Sequence, residues 1–170
     1  MPAQFHIRPM LASDLDAVLA LQAQIYPPQY HEPAAVFASK LTLAARFCLV
    51  VENRQCIKGY LFAHPWPKHA PPALFSCIAQ IPERADSLFI HDMALHPDCR
   101  GQRMGQQLLQ RCLDAARDAG LCCSTLVAVQ DAAGFWQHQG YRPCPTRATT
   151  DFPGRYGSDA LFMHRHISMI

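Results

Sequence analysis

The residues best suited to chemistry in this chain fall in one stretch, Ser87 to Asp118, reading SLFIHDMALHPDCRGQRMGQQLLQRCLDAARD. It places an adjacent histidine and aspartate, His91-Asp92, inside an apolar segment, and follows them with a basic, glycine-bearing turn, Arg100-Gly101-Gln102-Arg103-Met104-Gly105. Imidazole titrates near neutrality and suits proton transfer, so His91 is the candidate general base; the competing reading is a core histidine satisfied by a polar neighbour. A carboxylate within an apolar run is unfavourable unless paired, which argues for a role for Asp92. It could orient His91 or meet a cationic substrate. The turn is a candidate anion site: where it opens a helix, the first backbone N–H groups lack intrahelical partners and the helix dipole adds positive charge, so main chain alone can hold a diphosphate.

Three elements must position these groups. Ser87 to Leu95 is apolar and partly alternating, as expected for a half-buried strand, and Pro97-Asp98 stops it. Met104, Leu108, Leu109, Cys112, Leu113 and Ala116 then fall on one helical stripe. On a regular strand His91 and Asp92 would face opposite sides, whereas a bulge between them would turn both towards one cleft.

The rest of the chain supplies a frame. His6 to Pro9 predicts a first strand, and Ser13-Asp14 the N-cap of a helix that ends at Tyr26-Pro27-Pro28. A polar and aromatic connection, Gln29 to Pro33, precedes a second helix over Ala34 to Ala45. Phe47 to Glu52 and Ile57 to Ala63 predict a hairpin turning at Asn53-Arg54-Gln55, with Gly59 marking a bulge or a close approach. His64 to Pro82 holds five prolines and is expected to be a long surface excursion. Leu121 to Val129, Asp131 to His138 and Asp159 to Ile167 complete the pattern as strand, short helix and strand, giving a single α/β domain over 1–170 with a mixed sheet and helices on both faces.

The central turn resembles motif A of the GNAT N-acetyltransferase superfamily, Arg/Gln-x-x-Gly-x-Gly/Ala after Val-x-Pro, here Arg100, Arg103 and Gly105 after Leu95-His96-Pro97. Arg103 stands in the first glycine place, where its backbone N–H and its guanidinium can still meet phosphate. Gln130-Asp131-Ala132-Ala133-Gly134-Phe135-Trp136-Gln137-His138-Gln139-Gly140-Tyr141 is similar to motif B of the same superfamily. Together the likeness covers nearly the whole chain. It implies a mostly antiparallel central sheet splayed between its fourth and fifth strands, with acetyl-CoA as co-substrate in the split. The implied cofactor contacts are Met93, Ala94 and Leu95 for pantetheine, Arg100, Gly101, Gln102, Arg103, Met104, Gly105 and Gln106 for the diphosphate, and Gln130, Phe135 and Trp136 from motif B. The implied reaction is direct transfer of acetyl to an amine. His91 also resembles one of the paired histidines of arylalkylamine N-acetyltransferases, with Phe89 in the place of the other. The motif-B tyrosine that reprotonates the thiolate is Trp136 here, so Tyr156 in the late loop and Tyr141 are substitutes by residue type.

Tyr26, Tyr30, His31 and Trp66 are expected to wall the acceptor side, with Glu32 and Asp92 available to select a cation. A small primary amine is the leading acceptor. A protein lysine or N-terminal amine, and a silent acyl-CoA-sensing domain, are the alternatives. The net charge of +2 gives no ground for a nucleic-acid partner. No apolar run is long enough for a bilayer and the N-terminal stretch has no signal-peptide pattern, so a cytoplasmic protein without membrane contact is expected, and a homodimer is left open. The eight cysteines form no CxxC pair, and Cys48, Cys77, Cys112 and Cys122 are expected to be buried free thiols. His164 and His166 have the spacing of a metal pair on a strand but no third ligand, and no metal is expected. His91-Asp92 lacks the helical partners of a phosphohydrolase dyad, and the glycine turn lacks the Lys-Ser/Thr ending of a P-loop.

Overall fold

A computed structural model describes residues 4–129, 131–144 and 159–168. The strands are β1 (His6–Pro9), β2 (Leu49–Asn53), β3 (Cys56–Trp66), β4 (Ser87–Leu95), β5 (Cys123–Ala128), β6 (Arg142–Pro143) and β7 (Leu161–His166). The helices are α1 (Leu15–Ile25), α2 (Ala34–Ala44), α3 (Met104–Asp118) and α4 (Ala133–His138). One sheet runs β1-β2-β3-β4-β5-β7-β6, and every pairing is antiparallel except that of β4 with β5.

Alternation along the central strands builds a core on each face of the sheet. Leu49, Val51, Leu61 and Ala63 point to α3, where they meet the expected stripe of Leu108, Leu109, Cys112, Leu113 and Ala116. Their neighbours Val50, Tyr60 and Phe62 point the other way, to Val18, Leu21, Phe37 and Leu41 of α1 and α2. Phe37 stacks on Phe62 with ring centroids 4.3 Å apart, and burying a ring of this size is worth about 1.5–3 kcal/mol. Arg8 ties the edge strand to the first helix: its guanidinium pairs with Asp14 at 2.7 Å and with Glu52 at 2.7 Å. Asp14 accepts from the Leu11 N–H at 2.8 Å within a short 3-10 turn, so Ser13-Asp14 does not act as the simple N-cap expected.

Two differences from expectation have physical causes. β3 continues through His64 and Pro65 to Trp66, paired with Phe89, Leu88 and Ser87. Proline is tolerated there because β2 ends opposite Leu61, leaving one side of β3 without a ladder to complete. Cys77 and Cys122 are exposed, while Cys48 and Cys112 are buried as expected, and no disulfide occurs among the described residues. Among the described residues, no helix is long and apolar enough to cross a membrane.

The β2–β3 hairpin turns on Arg54 and Gln55, both at positive φ (48° and 66°), which matches the twist of the flanking strands. The register then slips by one residue, so Lys58 is a bulge, and beside it Gly59 lies against β4. A Cβ at Gly59 would sit 2.5 Å from Leu95 Cδ2 and 3.2 Å from the Ala94 carbonyl oxygen. Gly59→Ala is therefore expected to destabilise the fold by about 1–3 kcal/mol, through forced displacement of β4. Chemical denaturation with an unchanged midpoint would refute this close packing.

Candidate active site

The cleft is made where β4 and β5 part. Their parallel register holds for Leu88–Ser124, Phe89–Thr125 and Ile90–Leu126, and stops there although β4 runs on to Leu95. Past Ile90 the β5-facing edge of β4 has no strand beside it among the described residues, so an extended ligand can add to it as a strand would. The space encloses about 210 Å³ and is lined by Tyr26, Tyr30, Glu32, Leu74, Met93, Val127, Phe135 and Trp136, with His91 and Asp92.

A bulge puts both chemical residues at this split. The β3–β4 register slips between Phe62–Asp92 and Ala63–Ile90, so β4 carries the extra residue at His91, and His91 and Asp92 both line the cleft. The His91 side chain is 1% exposed, so the solvent exposure of this residue belongs to its main chain. Its Nε2 contacts Glu32 Oε1, and its Nδ1 is buried without a partner.

Asp92 is held by two phenols. Tyr60 donates to Oδ2 at 2.8 Å, and Tyr26 lies 3.0 Å from Oδ1 and 3.0 Å from the Met93 carbonyl oxygen. Burial pushes the Asp92 carboxyl up to about 6, against the pull of His91 and of the tyrosine hydroxyls. Burial, reinforced by the Asp92 charge, holds both tyrosine hydroxyls well above their ordinary range. The Tyr26 hydroxyl is thus within donating distance of two acceptors, Asp92 Oδ1 and the Met93 carbonyl oxygen.

The glycine turn opens α3 as anticipated. Gly101 has φ 76° and Arg103, the residue before the helix, is left-handed at φ 55° and ψ 25°. The intrahelical ladder starts with Gln107 N–H donating to Arg103 O at 3.0 Å, so the amides of Met104, Gly105 and Gln106 point out of the helix end without helical acceptors. A Cβ at Gly105 would be 2.9 Å from Leu95 Cδ1 and 3.5 Å from Phe135 Cζ, so glycine lets α3, β4 and α4 converge. This free helix end beside an unpaired strand edge fits a diphosphate joined to an extended amide chain.

Other candidates fall differently. Tyr26, Tyr30, Met93, Phe135 and Trp136 line the cleft, whereas His31 and Trp66 do not. His31 Nε2 is bonded to the Tyr26 carbonyl oxygen at 2.6 Å, and Trp66 Nε1–H donates to Ala70 O at 2.6 Å, so both hold loops instead of a ligand. The Ala94 side chain is buried beneath α1 and α2, leaving only its main chain for a ligand. Tyr141 donates to Ser124 Oγ at 2.8 Å in the core and is structural. Tyr156 and Gln130 lie outside the described residues. His164 and His166 pack edge to face, and no metal-holding cluster occurs among the described residues. Nothing local marks Tyr60 as an Asp92 partner beyond its place in an apolar strand, nor marks His64, whose Nε2 is buried without a partner.

The sequence profile described as the acetyltransferase (GNAT) family matches residues 15–141. The chain belongs to the GNAT acetyltransferase family. Similar solved folds include the GphF GNAT-like decarboxylase in complex with isobutyryl-CoA, 20% identical with a TM-score of 0.81, covering 96% of this chain and 100% of that one. The loading GNATL domain of CurA from Lyngbya majuscula is 12% identical with a TM-score of 0.76, covering 96% of this chain and 98% of that one. The ribosomal-protein-S18-alanine N-acetyltransferase from Escherichia coli is 18% identical with a TM-score of 0.68, covering 98% and 96% respectively. Identities this low show the fold of a GNAT protein and leave its substrate undetermined. No curated protein matches the chain by sequence.

Within this GNAT fold Asp92 has a thermodynamic signature. Its carboxyl is raised from an ordinary 3.8 to about 6, so its favourable contribution is complete below about pH 4 and is lost as pH rises through 6. Asp92→Asn reproduces the neutral carboxyl, with its amide N–H donating to Tyr26 and its oxygen accepting from Tyr60. The variant's stability relative to the parent should grow from pH 4 to pH 8, reaching about 3 kcal/mol at most. Denaturant titrations in which that difference stays flat or shrinks with pH would show that Asp92 is ionised in its pocket.

Proposed function

We propose that this GNAT protein moves an acetyl group from acetyl-CoA to the primary amine of a small molecule. The observation that carries the reading is the chemistry of the cleft's two halves. One half pairs an unladdered β4 edge with the free amides of the α3 N-terminus, which suits pantetheine and diphosphate. The other is aromatic and acidic, with Tyr26, Tyr30, Glu32 and Asp92 and neither Lys nor Arg among the described residues lining the cleft. A cationic amine is favoured there by charge and by cation–π attraction. An acyl-CoA bearing a free carboxylate, as decarboxylation would require, would meet carboxylates among the described residues lining the cleft. The CoA and acyl-CoA complexes among the structural neighbours support a CoA-type donor.

Acetyl-CoA supplies the activated thioester. The ammonium, with an ordinary pKa of about 10.4, must lose a proton before nitrogen can attack. His91 is the base in this reading, taking that proton on Nδ1, the ring nitrogen without a protein partner. After attack the C–S bond breaks and the nitrogen gives up a second proton, which balances the departing thiolate.

Thiol release from acetyl-CoA should appear with at least one class among arylalkylamines, polyamines, amino sugars and amino acids, and be weaker on lysine peptides. His91→Ala should then lower kcat at least about tenfold while acetyl-CoA affinity, followed by calorimetry, stays within about twofold. Turnover confined to peptides would move the acceptor to protein amines, and carbon dioxide release from malonyl-CoA would replace the reading altogether.

A further inference from the structure

We propose that Glu32 is the positioning residue of the site: one oxygen of its carboxylate fixes the His91 ring and the other fixes the loop that walls the acceptor half. This rests on His91 being the base.

Glu32 lies in the connection between α1 and α2, where no helix or strand ladder holds the main chain. Gln22 of α1 does so instead: its amide donates to Glu32 O at 3.1 Å and accepts from Glu32 N–H at 2.9 Å, both bonds buried. A buried side-chain amide used twice on one residue's backbone aims that residue's side chain. The Glu32 side chain is 3% exposed. Its Oε1 meets His91 Nε2, and its Oε2 accepts from the Phe75 N–H at 3.2 Å.

Both contacts have chemical consequences. An ionised carboxylate only accepts, so His91 must present Nε2–H, and the ring's lone pair is then on Nδ1, the buried nitrogen without a partner. Other groups near the ring are Asp92 on the same strand and His64 on β3, its ring centroid 6.5 Å away. Burial pushes His64 down to about 3, so it stays uncharged and does not compete for Glu32. From α2, the buried Lys40 lends Glu32 a nearby positive charge.

The second contact anchors the wall. Lys40 Nζ donates to Ser76 O at 2.9 Å and Ser39 Oγ accepts from Ile78 N–H at 3.1 Å, so Glu32, Lys40 and Ser39 hold Phe75, Ser76 and Ile78 in turn. Phe75 is kept at φ 64°, a backbone region that a bulky residue occupies only when its surroundings impose it. Its neighbour Leu74 lines the cleft. Base and wall are therefore set by one carboxylate.

Nitrogen-15 NMR of the whole protein tests the first half directly: neutral His91 is expected as the Nε2–H tautomer. Glu32→Gln tests both halves with little change in volume. Its amide has one acceptor oxygen, so it can keep Phe75 N–H or His91 Nε2–H but not both: either the ring turns over to the Nδ1–H tautomer with the loop contact kept, or the tautomer is kept and amide exchange over 74–78 becomes faster while exchange in α3 stays unchanged. In either case the variant should lose at least about tenfold in kcat, with acetyl-CoA affinity within about twofold. An Nδ1–H tautomer in the parent would overturn the proposal. So would a variant with kcat within about twofold, or one in which the tautomer and the exchange over 74–78 are both unaltered. If the parent acetylates no amine, the proposed function fails on its own, and tautomer and exchange still decide whether Glu32 holds ring and loop.

Discussion

Parallel pairing between β4 and β5 ends at Ile90 and Leu126, and the rest of the molecule is arranged around that interruption. A strand edge inside a sheet cannot be left without hydrogen-bond partners unless water or a ligand takes them. Here the edge is kept open by firm anchorage on either side: β3 pairs β4 along its whole length, and β7 pairs β5 from Cys123 to Ala128. Two cores, one under α3 and one under α1 and α2, then hold the strands from opposite faces, so the gap cannot close without unpacking one of them.

Into that gap the fold brings charge that burial should exclude. Glu32, Lys40 and Asp92 each lie in or beside apolar packing, and each has specific partners: an imidazole and a backbone amide, a loop carbonyl, and two phenols. Isolated ionised groups in such surroundings would be strongly destabilising, so the network is costly to break at one member. Two carboxylates thus lie at one split, Asp92 held by phenols and pushed up by burial, Glu32 held by donors on both oxygens.

Much of this was legible in the residue pattern. The 3.6-residue apolar stripe of α3, the strand before it and the intervening turn are local properties, whereas a bulge at His91-Asp92 was only one of two conditions the residues allowed, the other being a regular strand with the two side chains on opposite faces. What sequence concealed is what distance along the chain conceals. Glu32 and His91 are partners across 59 residues, and Tyr60 and Asp92 across 32, and no local rule links them. One signal existed: a carboxylate between aromatic residues and proline, at Tyr30-His31-Glu32-Pro33, was worth asking to be paired. His31 and Trp66 were misplaced because aromatic residues beside a cleft and aromatic residues pinning a loop look the same without coordinates. The long β3 was hidden by Pro65, whose tolerance depends on where β2 ends.

Arg103 carries a consequence of a different kind. It occupies a left-handed turn position where the resembling motif has glycine, and its side chain is exposed beside the α3 N-terminus. Backbone amides attract a phosphate at short range and are nearly indifferent to ionic strength, whereas an exposed guanidinium acts over roughly a Debye length, about 10 Å at 0.1 M salt. A donor held by both is captured faster in dilute electrolyte than in concentrated. Exchange of one backbone-tolerant residue for a charged one thus gives any anion bound at this helix end a sensitivity to the ionic medium that glycine would not confer.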